Sequence, residues 1–321
     1  MKTGKIAFLF NTRNNYQLFD EIFFKFSSVD FSNYYFFNVD LDSTSEQKEL
    51  AKGILDRHDI INLDADPEDP HIYSAYWSVQ KCNEYIDDNN LDVDWVMWFS
   101  HDCHLIGDDF LANLEAKLES NSRFINEVGV IGFCDYNQRE VGKPLYGRGD
   151  LIGEIHSASK HQGWYDDLPQ EYLNSEYFIV ECPNDNGVLI NKKLWQKYIV
   201  PDYNFVLFLW VPDLCAQFGL HGISSITIPS LEMADLYRMK PQFGVSRSIT
   251  DDPLFHIDSY GERPWVNFWI EKYGFQAGFA AKDVVRPQFN SLKERYGGSV
   301  QEQIFNWKIS DGPKTLDDLR F

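Results

Sequence analysis

Residues Asp94 to Asp109 read DWVMWFSHDCHLIGDD, an apolar run that stops at a knot of metal-capable side chains. Trp95, Val96, Met97, Trp98 and Phe99 have the length and β-favouring composition of a strand buried on both faces. His101, Asp102, Cys103 and His104 follow in a row. In an open α/β sheet the carboxyl end of a strand is where ligands bind. Along extended chain, residues i and i+2 point the same way, so Asp102 and His104 can aim at one ion while His101 and Cys103 face the other side. A carboxylate oxygen with an imidazole nitrogen suits Mn²⁺ or Mg²⁺; with His101 and Cys103 included the set suits Zn²⁺. A hydrogen-bonded turn that holds no metal is the plain alternative.

Working outward, Lys5 to Phe10 reads as a first strand, ending in the polar loop Asn11-Thr12-Arg13-Asn14-Asn15 before an amphipathic helix over Tyr16 to Phe26. Tyr34 to Val39 is the second strand; it ends in Asp40-Leu41-Asp42-Ser43-Thr44, ahead of a helix over Glu46 to Arg57. Asp59 to Leu63 is the third, and a helix from Ile72 to Ile86 leads to the Trp95 strand as the fourth. Strands alternating with helices predict parallel strands joined by right-handed crossovers, hence an α/β sandwich. Val128 to Phe133 is a fifth strand, and Asp135 to Glu176, without clear period, reads as irregular loops that could cover a cleft. Tyr177 to Val180, Val188 to Ile190 and Gly222 to Ile228 are further strands. Between them lie helices over Lys192 to Tyr198, opened by Asn191, and Pro212 to Gly219. Beyond Met239 the pattern turns to loops and short helices, including Trp265 to Tyr273 and Gln288 to Tyr296.

Composition narrows the function classes. A formal charge of −20 argues against nucleic-acid partners, which need Lys and Arg to neutralise phosphates. Aromatic residues make up 16 % of the chain, enough to supply stacking faces for sugar rings as well as core packing. The cysteines at 82, 103, 134, 182 and 215 are odd in number, widely spaced and without a CxxC pair, as expected of free thiols in a reducing compartment. The apolar run in MKTGKIAFLFNTRNN is too short for a signal peptide or a membrane span. The expectation is a cytoplasmic protein without a transmembrane segment, with room for peripheral membrane contact.

The order of these pieces resembles the GT-A class of nucleotide-sugar-dependent glycosyltransferases, family 2-like members above all, over roughly residues 4 to 238. The resemblance implies a Rossmann-like, mixed but mostly parallel sheet flanked by helices. It divides residues 1–238 into a nucleotide-sugar-binding half (about 1–133) and an acceptor-side half (134–238), with 239–321 as a C-terminal extension packed on the core. It places Asn11, Thr12, Arg13, Asp40, Asp42, His101 and Asp102 on a nucleotide sugar, with UDP- or GDP-sugars as the expected donors. Asp102-Cys103-His104 stands where the class carries its D-x-D motif, making Asp102 and His104 ligands of Mn²⁺ or Mg²⁺; a second alignment makes Asp102 the central residue. His256, in Leu254-Phe255-His256-Ile257-Asp258, matches a late metal ligand. Asn186 and Gly187 match the acceptor-side turn, Trp210 lies on the same side, and Asp213 matches the general base of inverting members. A glycan or a lipid- or protein-linked glycan is the implied acceptor.

Two other readings stand beside this one. A zinc-dependent hydrolase could use His101, Asp102 and His104, although no HxxxH pair accompanies them. A non-catalytic carbohydrate-binding protein could use Trp164, Tyr165, Trp210 and Trp265 as stacking platforms.

Overall fold

The computed structural model describes residues 2, 4–12, 14, 16, 19–24, 30–66, 68–69, 71–99, 103–120, 122–137, 143–145, 177–180, 182–183, 187–205, 210–221, 223–235, 272 and 314–315. Its centre is a set of parallel strands: β1 (Ile6–Thr12), β2 (Tyr35–Asp40), β3 (Ile60–Leu63) and β4 (Trp95–Phe99). They lie in the order β3-β2-β1-β4. Helices α1 (Ser45–Arg57) and α2 (Ala75–Asp88) make the crossovers, and a short π-helix (Phe19–Phe24) follows β1 in place of the longer helix expected there.

The sheet continues through β6 (Val128–Asn137), β9 (Gly187–Asn191) and β10 (Ser224–Asp235). Strand β9 runs antiparallel between β4 and β6, and β10 runs parallel to β6, so the sheet is mixed with most of its length in one direction. Shorter strands sit at its margins: β5 (Cys103–Ile106) and β8 (Phe178–Val180) against β10, β7 (Lys143–Leu145) against β6, and β11 (Lys314–Thr315) against β8. The remaining helices among the described residues are α3 (Phe110–Ser120), α4 (Ser122–Ile125), α5 (Lys192–Tyr198) and α6 (Trp210–Leu220).

Period-2 alternation sorts each strand between two cores. Ala7, Leu9, Val96 and Trp98 face a cluster with α2, α5 and α6, whereas Ile6, Phe8, Phe10, Trp95, Met97 and Phe99 face a second cluster with α1, the π-helix and α3. Both faces are therefore dry, which is why these strands read as continuous apolar runs. The second core is built on aromatic rings, some edge-on and some stacked: Phe8, Phe10, Phe23, Phe31, Phe36 and Phe99 meet at centroid distances from 4.9 to 6.4 Å.

Local chemistry fixes the ends. Thr44 caps α1 by accepting from the Gln47 N–H, and Asn191 caps α5 by accepting from Leu194 N–H, where the sequence placed that helix start. Three stretches depart from the sequence reading. Cys103 and His104, read as the end of the polar knot, open strand β5, because Cys103 and Leu105 bury in the second core while the end of β10 supplies the ladder. Residues from Asp135 onward, taken as irregular, continue β6 to Asn137 and pair with β7. Strand β10 runs past Ile228 through a register shift that contains Pro229, a residue that cannot donate to a ladder and so sits where pairing is interrupted. The helices expected over Trp265 to Tyr273 and Gln288 to Tyr296 lie outside the described residues apart from Lys272. Among the described residues no helix is long and apolar enough to cross a membrane.

Candidate functional site

From β1 the chain crosses one way to β2 and β3, and then back past β1 to β4, so the connections diverge between β1 and β4. Such a switch point opens a crevice outside the carboxyl ends of the strands. Registers bring those ends level: Phe10 lies beside Phe99, and Thr12 beside Asp40. The residues meeting there are Asn11, Thr12, Asp40 and Asp42, four of the seven positions named for the nucleotide sugar; Arg13, His101 and Asp102 lie outside the described residues.

The loops after β1 and β2 are laced together. Leu41 N–H donates to Thr12 O (2.9 Å), Asn14 N–H to Ser43 Oγ (2.8 Å) and Thr44 N–H to Asn14 Oδ1 (3.0 Å). Asn14 and Asp42 each take positive φ, 53° and 60°, a backbone region in which Asn and Asp are tolerated better than most residues. Asp40 accepts from the Ser43 N–H (2.8 Å) and from the Tyr16 hydroxyl (2.5 Å), which in turn accepts from Asn38 Nδ2 (3.1 Å). Burial, followed by the charge of Asp40, holds the Tyr16 phenol protonated far above its ordinary range. Lys48 Nζ lies 3.7 Å from Asp40 and from Asp42, leaving Asp42 as the exposed carboxylate of the group. Thr12 Oγ1 is buried at this switch point without a hydrogen-bond partner.

On the opposite face of the sheet a row of buried side chains leads away from Asn11. The Asn11 amide donates to Ser78 Oγ (2.7 Å), and its oxygen accepts from Trp98 Nε1 (3.2 Å). Trp98 meets Trp210 edge-on at 4.9 Å, Trp210 meets Tyr76 edge-on at 5.8 Å, and the Tyr76 hydroxyl donates to Asp213 Oδ2 (2.6 Å). Asp213, on α6, is fully buried and also accepts from Gln217 Nε2 (2.8 Å) and from Lys272, whose Nζ lies 2.8 Å from Oδ1. The carboxylate named as general base is thus occupied by an ammonium, a phenol and an amide.

His104, on β5, is nearly buried and alternates with Cys103 and Leu105, so its ring lies off the second core. Of its expected co-ligands, Asp102 and His256 lie outside the described residues, as does Asn186 on the acceptor side. Among the described residues no three His, Cys, Asp or Glu side chains gather as a metal-ligand set. Gly187 begins β9 opposite Phe99, where a Cβ would come within 2.5 Å of Met233 Cε. Trp210 is buried in the core rather than offering an open stacking face, and Trp164, Tyr165 and Trp265 lie outside the described residues. All five cysteines are buried. Sequence reasoning missed Tyr16, Tyr76 and Lys272: a lone Tyr in a helical stretch and a Lys far along the chain carry no local signature of their partners.

No protein-family model matches the sequence, and no curated protein does. Among solved structures the chain is similar to the mannosyltransferase PcManGT of Pyrobaculum calidifontis, in complex with GDP-Man and Mn²⁺. Identity is 11 % and the TM-score 0.47, over 94 % of this chain and 82 % of that one. GalNAc-T7 with UDP, GalNAc and Mn²⁺ is 9 % identical with a TM-score of 0.46, over 85 % and 55 %. A197 from STIV is 13 % identical with a TM-score of 0.39, over 72 % and 84 %. At these values the likeness is one of chain course and speaks to no residue of the site.

Proposed function

We propose that the chain is a glycosyltransferase that moves a sugar from a nucleotide-diphosphate sugar to an acceptor hydroxyl with metal assistance. The observation that supports it is the β1/β4 switch point, where the level ends of β1 and β2 bring Asn11, Thr12, Asp40 and Asp42 together beside the end of β4. In this reading the exposed Asp42 and the loop Ser43-Thr44 receive the nucleoside, and Asp40 holds that loop through Ser43 N–H. The buried Thr12 hydroxyl, unsatisfied in the protein, faces the cost that a polar ligand or a water would relieve. Asp102 and His104 would hold a divalent ion; carboxylate and imidazole suit Mn²⁺ or Mg²⁺, and such an ion supplies positive charge to a departing diphosphate.

Asp213 takes a different part from the one its position in the sequence suggested. A general base needs a lone pair within reach of the acceptor proton. Asp213 is wholly buried and already accepts from Tyr76, Gln217 and Lys272, so it anchors the acceptor-side helix instead. The stereochemical course then rests on a residue other than Asp213.

The test is a thermal-shift series with UDP, GDP, CDP and dTDP and their sugars, with and without Mn²⁺. A ligand of the folded state raises apparent stability by about 2.7 kcal/mol at a hundred times its dissociation constant. One nucleotide diphosphate should raise the midpoint in the presence of Mn²⁺, and Asp102→Ala or His104→Ala should abolish the metal-dependent part. No shift with any of them would end the proposal. Stoichiometric Zn²⁺ in protein purified without added metal would favour the hydrolase reading instead.

A further inference from the structure

Lys272 belongs to the C-terminal extension, yet its ammonium sits inside the core domain. Nζ lies 3.1 Å from Asp202 Oδ2 and 2.8 and 3.1 Å from the two oxygens of Asp213, with the Phe205 ring centroid at 5.5 Å. Burial works against the charge, but the two carboxylates outweigh it and the amine is held protonated above its ordinary value. One side chain therefore joins the 202–205 turn to α6. Phe205 O accepts from Ser74 Oγ (2.8 Å) and Tyr76 donates to Asp213, so the same ammonium fixes the start of α2 as well.

The consequence runs along the aromatic row. Trp210 Nε1 is buried with no acceptor, so no hydrogen bond from its ring pins it in place; edge-on packing between Tyr76 and Trp98 sets its position. Tyr76 is oriented by its bond to Asp213, and Trp98 passes the contact on to Asn11 at the end of β1.

We propose that Lys272 is a positioning residue: by clamping Asp202 and Asp213 it sets the Tyr76-Trp210-Trp98-Asn11 row, and so couples the C-terminal extension to ligand binding at the β1/β4 switch point. The proposal rests on the transferase reading for what binds there. Contiguous packing supplies the route, and coupling carried through such a row changes affinity by about two- to thirtyfold.

The experiment measures UDP and GDP binding with Mn²⁺ by calorimetry, together with tryptophan emission, for the full-length wild type and three variants. Lys272→Met should weaken the nucleotide that wild type binds by about tenfold and shift the tryptophan emission. Lys272→Arg, which keeps the charge and can bridge both carboxylates, should recover most of the affinity. Lys272→Met/Asp213→Asn removes the buried unpaired carboxylate, so it should regain thermal stability without regaining affinity; it also carries the comparison if Lys272→Met does not fold. Variants that lose stability yet bind within twofold of wild type would show that Lys272 is ballast and overturn the proposal. A wild-type chain that binds neither of these, nor CDP or dTDP, would remove the transferase reading, and this coupling with it.

Discussion

Replacing Tyr76 with Phe isolates one oxygen atom in a hydrogen-bonded cluster of the core. The phenol donates to Asp213 Oδ2 at 2.6 Å and accepts from Gln217 Nε2 at 3.2 Å, while its ring packs against Trp195 and Trp210 at 5.5 and 5.8 Å. The substitution keeps the ring and deletes the hydroxyl. Gln217 keeps its bond to Asp213 at 2.8 Å and Lys272 keeps its ion pair, so Asp213 is weakened but not left bare. A buried hydrogen bond to a charged group contributes about 1.5–3 kcal/mol, and Tyr76→Phe should cost that much. Against a total stability of roughly 5–15 kcal/mol this is readily seen as a lower urea midpoint at unchanged slope. A loss below about 0.5 kcal/mol would refute the reasoning, because the Asp213 carboxylate would then not depend on the phenol.

Two further outcomes follow from packing and from proton linkage. At Gly132 a Cβ would stand 2.1 Å from Pro183 Cβ in a rigid ring, whereas at Gly187 it would meet the mobile end of Met233, so Gly132→Ala should destabilise by about 1–3 kcal/mol and Gly187→Ala by less than about 1 kcal/mol. Equal costs in urea unfolding would contradict that distinction. Because burial and then Asp40 raise the Tyr16 pKa, the native state keeps a proton that the unfolded chain releases above about pH 10. The stability this provides is whole at neutral pH and falls as pH rises, and Tyr16→Phe should flatten the decline of unfolding free energy between about pH 9 and 11. A decline just as steep in the variant would place its origin elsewhere.

Reading WVMWF as a doubly buried strand was sound because both faces of β4 do lie in dry cores, and an apolar run with no polar side is the local mark of that condition. The same logic located β1 and β2, although β1 runs on through Asn11 and Thr12 and β2 through Asp40, and the cap at Asn191 was visible as a side chain able to bond its own helix start. These features are written in neighbouring residues, so periodicity and capping chemistry suffice to find them. What the tertiary structure alone decided involves partners far apart along the chain. Strand β5 exists because β10 returns beside it, and no window around Cys103 contains β10. The resemblance matched Asp213 to a general base, whereas in the fold Tyr76 on α2 and Lys272, distant in sequence, both donate to its carboxylate. A carboxylate's role depends on which donors surround it and whether water can approach, and both are properties of the packed chain.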